Sequence, residues 1–329
     1  MAELRWHPLI QDWVMIASNR QGRPQMPKDY CPFCPSFGNV PDYEVLEYDN
    51  DFPALSQNPP EPDEGIANDF FKVKPSYGKC EVILYSPGHT VTMPELSYDH
   101  MKKLVDLWCE RFNVMRSDEK IKYVFPFENR GEVVGVTMPH PHGQMYGYSF
   151  IPKKLQLETA SAKEYYEKTG NCLFCDTLKN ELEAQKRIIF QNEHFTVYLP
   201  FYCEYPYGVY IMANRHVQYI TDLTEEEKYT LGVTIRDTVG MLDSLFDYRF
   251  PYMMCMHNAP VNSGDYSKDF HFHIEFFPPM RSADKQKFNA SSETGAWACC
   301  NPTCPEETSK ELRAAYAKYK ENEDKIQRV

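Results

Sequence analysis

The sequence contains no long apolar run and no excess of basic residues. No stretch reaches the roughly 18 consecutive apolar residues of a membrane span, and the N-terminus lacks the basic region and apolar core of a signal peptide. With 35 Lys and Arg against 47 Asp and Glu, the formal net charge is −12, which argues against a general nucleic-acid surface. A Walker-type phosphate loop is also missing. We therefore expect a cytoplasmic protein without membrane or nucleic-acid partners, in which local arginines and lysines meet any phosphorylated ligand.

The length and the cysteines narrow the class of protein. At 329 residues the chain can bury a full core, and about 150 residues per domain favours two domains. We predict these domains at 1–157 and 158–329. Eleven cysteines without a secretory signal indicate reduced thiols, so Cys-x-x-Cys pairs are expected to be metal ligands or redox pairs.

The two halves contain the same order of elements. Each reads Cys-x-x-Cys, strand, histidine, helix, strand and His-x-His. Apolar spacing predicts the first helix over 97–117, and a capping box at Thr224 predicts a second helix to about Phe246. An ancient duplication is the simplest explanation. We predict an α+β fold of two mainly antiparallel β-sheet halves with packed helices, followed by a charged surface helix over 306–326.

The first His-x-His lies in the segment that organises the chain, His140-Pro141-His142-Gly143-Gln144. Histidines two residues apart in an extended segment point to the same side of the backbone. Glycine allows close approach to the backbone, and glutamine offers both a donor and an acceptor. A neutral imidazole can attack phosphorus, bind a metal or carry a proton. Such a pair between proline and glycine favours a chemical role over a structural one.

Cysteine and histidine spacing predicts two closed Cys₂His₂ zinc sites. The first set is Cys31, Cys34, His89 and His140, and the second, by internal symmetry, is Cys172, Cys175, His216 and His271. A closed shell leaves no position for water, so the first zinc would be structural and would hold His142 in place. A pair of buried thiols and a redox pair are the alternatives for the first Cys-x-x-Cys.

Two further groups of side chains are candidates for ligand binding. The third metal cluster mixes imidazole and carboxylate, as iron or zinc sites do, and consists of Glu158, His257, His273 and Glu275. Glu275 could equally be a strand residue paired with a cation. Arg20 and Arg23, in a Gly/Pro loop, could clamp a phosphate or belong to a solvated turn.

Several motifs together resemble the class I galactose-1-phosphate uridylyltransferase family, a duplicated branch of the histidine-triad superfamily, from Arg5 to about Arg313. The motifs are FENRG, HPHGQ, CPFC, SPGHTVTMPELS, MHNAP and HFHIEFFPP. The resemblance implies a duplicated histidine-triad-like fold and a homodimer. It also implies exchange of UMP between UDP-glucose and galactose 1-phosphate through a covalent uridylyl-histidine, with UDP-galactose and glucose 1-phosphate as products.

The family's functional residues map onto this sequence position by position. The nucleophile falls on His142, the phosphate-holding glutamine on Gln144, and the zinc ligands on the first Cys₂His₂ set. The uridine and ribose contacts fall on Asn50, Asp51 and Phe52. The family residues that line the site ahead of HPHGQ correspond to Phe127, Asn129, Gly135 and Thr137. The phosphate-binding arginines fall on Arg20 and Arg23, and the hexose side falls on Lys287, Phe288 and Glu293.

The sequence departs from the family pattern in three places. Glu275 stands where familiar members have a histidine ligand of a second-metal site, and those members lack the second Cys-x-x-Cys. We therefore expect one zinc at the first Cys₂His₂ set and a second zinc at the set that contains Cys172 and Cys175. Fe²⁺ is only a candidate, at a further site. The stretch SSETGAWACCNP, with Cys299 in place of a family glutamine, resembles the sub-branch that contains ADP-sugar phosphorylases.

Three other functions remain open from the sequence. An ADP-sugar phosphorylase or adenylyltransferase would use the same histidine. A nucleotide hydrolase of the histidine-triad type would carry a further histidine where Gln144 stands. The third alternative is not an enzyme but a zinc-stabilised binding module. It predicts metal-dependent folding without a covalent nucleotide.

Overall fold

The computed structural model describes residues 2–22 and 30–326, with the side chain of Glu64 left out. Arg23 therefore lies outside the described residues. The strands are β1 Ala2–His7, β2 Asp12–Ala17, β3 Leu46–Asp49, β4 Val73–Pro75, β5 Gly78–Leu84, β6 Tyr123–Arg130, β7 His142–Tyr148, β8 Ile188–Gln191, β9 Phe195–Tyr198, β10 Tyr210–Ala213, β11 Tyr252–His257 and β12 His273–Phe277. The α-helices are α1 Tyr98–Arg116, α2 Lys153–Thr169, α3 Leu173–Ala184, α4 Glu225–Phe246, α5 Ser291–Ala296 and α6 Pro305–Asn322.

One antiparallel sheet of nine strands runs through both halves of the chain. Its order is β3-β5-β7-β6-β11-β12-β10-β9-β8. The two halves meet where β6 pairs with β11, with Arg130 opposite Tyr252 and Phe127 opposite Cys255. Going outward from this junction, β7 and β5 of the first half correspond to β12 and β10 of the second. The α+β class and the antiparallel halves are confirmed, and the halves are joined into a single sheet.

The division into two domains stays a prediction. Helix α2 runs across the expected boundary between residues 157 and 158, because it extends from Lys153 to Thr169. A smaller sheet, β2-β1-β4, packs its apolar side chains against β5 and β7, and Arg20 in the segment after β2 donates to the Tyr146 hydroxyl of β7.

The two predicted helices form as expected and fill the core on one face of the sheet. Ser97 caps α1 by accepting a hydrogen bond from the His100 amide. Thr224 and Glu227 form the predicted capping box of α4. Six apolar side chains of α1 are buried: Met101, Leu104, Val105, Trp108, Phe112 and Met115. Their spacing of three and four residues gives the helix one apolar face, which explains why it packs on the sheet.

Helix α6 differs from its expected place on the surface. Its residues Leu312, Ala315 and Tyr319 are buried. The Tyr319 ring packs against Gly240 of α4, where an added Cβ would lie 2.2 Å from the ring. The many charges of α6 concealed this apolar stripe. In the described part of the chain, no helix combines the length and the apolar character needed to cross a membrane.

Candidate active site

The first Cys₂His₂ set comes together at one end of β5 and β7. The four ligand atoms of Cys31, Cys34, His89 and His140 lie within 4.8 Å of one another. Cys34 Sγ is 3.3 Å from His89 Nδ1 and 3.5 Å from His140 Nδ1. In a tetrahedral zinc site, sulfur and nitrogen ligands would be about 3.5 Å apart. The donor set and its spacing therefore fit zinc.

His140 is held in the orientation that metal binding requires. Its Nε2 lies 2.8 Å from the Ser86 carbonyl oxygen and 2.9 Å from the Tyr43 hydroxyl, so Nδ1 faces the two thiols. Burial lowers the pKa of His140 to about 4, which keeps the imidazole neutral. A neutral imidazole with its other nitrogen hydrogen-bonded is the usual form of a metal ligand.

The second Cys₂His₂ set has the same arrangement in the C-terminal half. The ligand atoms of Cys172, Cys175, His216 and His271 lie within 4.8 Å of one another. Cys175 Sγ is 3.2 Å from His216 Nδ1 and 3.3 Å from His271 Nδ1. Both distances again fit a tetrahedral ion.

His142 lies outside the metal cluster and faces a group of cavities. Its Nδ1 is 2.7 Å from the carbonyl oxygen of His140. Since a carbonyl can only accept, Nδ1 carries the hydrogen and Nε2 carries the lone pair. The His140 carbonyl therefore sets the tautomer of His142. The Pro141 carbonyl instead accepts from the Tyr85 amide at 3.1 Å.

Three cavities meet at His142. The largest, about 440 Å³, is lined by residues of β2, β6, β7 and the 131–141 loop, together with Arg20 and Ala54. Its predicted lining residues are Arg20, Phe127, Asn129, Gly135, Thr137, His142 and Gln144. A second cavity of about 80 Å³ contains Asn50, Asp51, Phe52, Thr137, His142 and Gln144. The two cavities share Thr137, His142 and Gln144, so together they can hold a ligand with a base, a sugar and phosphates.

Gln144 is positioned by a residue that sequence reasoning missed. The hydroxyl of Tyr146 donates to Gln144 Oε1 at 3.1 Å, and Arg20 Nη1 donates to the same hydroxyl at 3.0 Å. Because Oε1 is occupied, the amide NH₂ of Gln144 is the end that can donate to a phosphate. The alternation of β7 was the available signal, since residues 144 and 146 must share a face.

A buried polar group supports the backbone behind His142. Glu128 is 6% exposed, and the Tyr252 hydroxyl donates to its Oε1 at 3.1 Å. The Tyr85 hydroxyl lies beside the same carboxyl and against Gly143, where an added Cβ would be 2.2 Å from it. Glycine at 143 is therefore required by the closeness of Tyr85. A cavity of about 200 Å³ on this side contains Glu128 and His142.

The hexose-side residues lie together but apart from His142. Lys287 Nζ is 3.6 Å from Glu293 Oε1, and Phe288 is 71% exposed. In the part of the chain that the structure describes, none of these three residues lines the cavities at His142.

At the third predicted cluster, Glu275 pairs with a cation, which is one of the two alternatives left open by the sequence. Ligand atoms of Glu158, His257 and His273 lie within 4.8 Å of one another, and Glu158 Oε2 is 2.9 Å from His257 Nδ1. Glu275 is not part of that group. One of its oxygens is 2.6 Å from Lys154 Nζ.

Comparison with known proteins extends over nearly the whole chain. The family model for the N-terminal domain of galactose-1-phosphate uridyl transferase matches residues 2–152, and the model for the C-terminal domain matches residues 158–314. The galactose-1-phosphate uridylyltransferase of Thermotoga maritima is 39% identical over 95% of this chain and 98% of its own length.

The chain is also similar to solved structures over nearly its whole length. A uridylyltransferase structure is 31% identical, with a TM-score of 0.88, over 96% of this chain and 99% of that chain. An ADP-glucose phosphorylase from Arabidopsis thaliana is 22% identical, with a TM-score of 0.73, over 95% and 99% of the two chains. At that identity, the second similarity shows a shared fold alone.

Proposed function

We propose that this chain, which belongs to the galactose-1-phosphate uridylyltransferase family, exchanges UMP between UDP-glucose and galactose 1-phosphate through a covalent intermediate on His142. The observation that carries the proposal is the orientation of His142, whose Nδ1 is held 2.7 Å from the His140 carbonyl in a segment that opens onto two adjoining cavities of about 440 and 80 Å³. UDP-glucose, UDP-galactose and the hexose 1-phosphates are the proposed ligands.

In the first half-reaction, the Nε2 lone pair of His142 attacks the α-phosphorus of UDP-glucose. The bond between that phosphorus and the bridging oxygen breaks, and glucose 1-phosphate leaves with the electron pair. The imidazole becomes positively charged as the new P–N bond forms. The His140 carbonyl, which accepts from Nδ1–H, stabilises that charge because hydrogen bonds to charged donors are the stronger ones.

In the second half-reaction, a phosphate oxygen of galactose 1-phosphate attacks the same phosphorus. The P–N bond breaks, UDP-galactose leaves, and His142 returns to its neutral form. Histidine suits both steps because a phosphoramidate stays reactive enough to be displaced by a weak nucleophile. The amide of Gln144 and the guanidinium of Arg20 would balance negative charge on the phosphoryl oxygens, at roughly 3 kcal/mol for a well-placed donor.

The zinc ions in this proposal are structural. Cys31, Cys34, His89 and His140 would hold one, and Cys172, Cys175, His216 and His271 would hold the other. Each set supplies four ligands, so neither zinc would keep a position for substrate or water. The first zinc would fix the backbone at His140, whose carbonyl holds His142.

A homodimer in the cytoplasm is also part of the proposal. Arg20 lines the cavity of its own chain, so no partner is needed to bring it to His142. Lys287, Phe288 and Glu293 do not line it within the described chain, and the exposed ring of Phe288 suits contact with another molecule. A partner's sugar-side segment would complete the hexose end of each site.

The test is an exchange assay on zinc-loaded protein. We expect UDP-glucose and galactose 1-phosphate to give UDP-galactose and glucose 1-phosphate. His142→Ala should abolish the reaction, while His194→Ala, at a histidine outside the site, should leave it unchanged. Consumption of ADP-glucose with inorganic phosphate, without any reaction of UDP-glucose, would instead establish the ADP-sugar phosphorylase.

A further inference from the structure

The duplication places His273 in the same local setting as His142. His142 Nδ1 lies 2.7 Å from the His140 carbonyl, and His273 Nδ1 lies 2.9 Å from the His271 carbonyl. Each begins its strand, β7 or β12. A phenylalanine of the preceding Cys-x-x-Cys packs near each ring, with centroids 5.5 Å apart for Phe33 and 5.1 Å for Phe174. The second half therefore contains a copy of the site that holds His142.

The surroundings of the two histidines differ. His142 lines three cavities, whereas His273 is 2% exposed. Two residues further along each strand, the first half has Gln144 and the second has Glu275, which is also 2% exposed. The copy is thus closed to a nucleotide and contains a buried carboxylate, which needs a cation or hydrogen bonds to compensate its burial.

Lys154 supplies that cation. Its Nζ lies 2.6 Å from Glu275 Oε2 and 3.8 Å from Glu158 Oε1. The two imidazoles complete the network, with His257 Nε2 3.3 Å and His273 Nε2 3.5 Å from the oxygens of Glu275. Glu158 Oε2 accepts from His257 Nδ1 at 2.9 Å. Both carboxylates therefore have partners among the side chains of the chain itself.

The position of Lys154 also closes the cluster from the solvent side. Its side chain is 48% exposed, while that of Glu275 is 3% exposed, so the lysine lies between the carboxylate and water. Its ammonium also lies 4.8 Å from the centre of the Phe277 ring, a favourable cation–π contact. A divalent ion bound to Glu158 and Glu275 would have to lie within a few ångströms of this ammonium, and like charges at that distance repel.

We propose that the ammonium of Lys154 takes the place of a metal ion in the cluster of Glu158, His257, His273 and Glu275, so that the chain binds two zinc ions and no third ion. The Lys154–Glu275 pair ties α2, the helix that connects the halves, to β12. The opposing possibility is a metal on Glu158, His257 and His273 alone, because these three ligand atoms lie within 4.8 Å of one another.

The test is a metal count on the whole protein, which does not depend on its activity. Wild-type protein is loaded with zinc, exposed to excess Co²⁺ or, without oxygen, Fe²⁺, and desalted before elemental analysis and visible spectroscopy. We expect two zinc ions per chain and no cobalt or iron. Lys154→Gln, which removes the cation, should gain one cobalt or iron ion, and Lys154→Arg, which keeps the charge, should not.

Two results would overturn the proposal. One is a third ion in the wild-type protein, and the other is a Lys154→Gln variant that folds and still binds only two ions. If Lys154→Gln fails to fold, Lys154→Met and the count on the wild-type protein decide the question. Failure of the uridylyl transfer would leave the metal count unaffected, so the two proposals are distinguishable.

Discussion

Replacement of Glu128 by glutamine should change the pH dependence of stability. The pKa of Glu128 is raised from 4.5 to about 7, mainly by burial. Arg130 and the hydroxyls of Tyr252 and Tyr85 lower this pKa, but by less than burial raises it. The folded protein thus keeps a proton that the unfolded chain releases at lower pH. A raised carboxyl pKa stabilises the protonated fold at low pH, and stability is lost as the pH rises from 4.5 through 7.

The magnitude follows from the pKa difference. A shift of 2.5 pKa units corresponds to about 3.4 kcal/mol once the pH is well above 7. Between pH 5.5 and 8.5 the wild-type protein should lose about 2 kcal/mol through this group. Glu128→Gln is neutral and keeps a similar shape, so its free energy of unfolding should lack this loss. Titrating groups that do not interact with Glu128 contribute equally to both proteins and cancel in the difference.

Urea unfolding of the zinc-loaded proteins at pH 5.5, 7.0 and 8.5 measures the effect. We expect the stability of Glu128→Gln relative to wild type to increase by about 2 kcal/mol across this range. Glu132→Gln, at an exposed glutamate on the same segment, should show no such change. A difference that is the same at all three pH values would mean that Glu128 is charged in the fold throughout, which would refute the reasoning.

Other substitutions test the contacts around His142. Gly143→Ala places a methyl group against the Tyr85 hydroxyl, so we expect a loss of about 1–3 kcal/mol in unfolding free energy, recovered in part when Tyr85→Phe is added. Tyr146→Phe removes the hydroxyl that donates a hydrogen bond to Gln144 Oε1. We expect kcat/KM of the exchange to fall by roughly five- to thirtyfold. Cys31→Ser and Cys172→Ser should each lose one zinc ion by elemental analysis, and only Cys31→Ser should lower kcat, by about tenfold or more.

Each of these expectations has a contradicting outcome. Gly143→Ala with wild-type stability would show that Tyr85 does not approach the backbone. An unchanged kcat/KM in Tyr146→Phe, with Tyr148→Phe as the matched control, would mean that Gln144 needs no positioning. Equal losses of kcat in the two cysteine variants would mean that the metal clusters do not differ in their relation to His142.

The sequence predicts the local helices and strands well. Helix α1 forms where the apolar spacing places it, and α4 begins at the capping box of Thr224, because these signals lie within or next to the helix itself. The repeat also predicts which cysteines and histidines come together. The order of these cysteines and histidines along the chain is the same in both halves although the loop lengths differ, which explains why the second set could be found from the first.

The remaining features depend on contacts between distant residues. The apolar stripe of α6 has helical spacing, but its docking also depends on the ring of Tyr319 fitting against Gly240, a contact that the spacing does not reveal. Tyr146 and Arg20 are 126 residues apart, and Lys154 and Glu275 are 121 apart. The pairing of β6 with β11, which makes one sheet from two halves, likewise becomes visible only when the chain is folded.

The most direct measurement is the mass of the protein after exposure to UDP-glucose without an acceptor. We expect intact-mass spectrometry to show one added uridylyl group per chain, located on His142 by fragmentation and released by galactose 1-phosphate as UDP-galactose. The adduct should be absent in His142→Ala and present, though formed more slowly, in Gln144→Ala. A uridylyl group on any other residue, or turnover of UDP-glucose by His142→Ala, would contradict the role of His142 as the nucleophile.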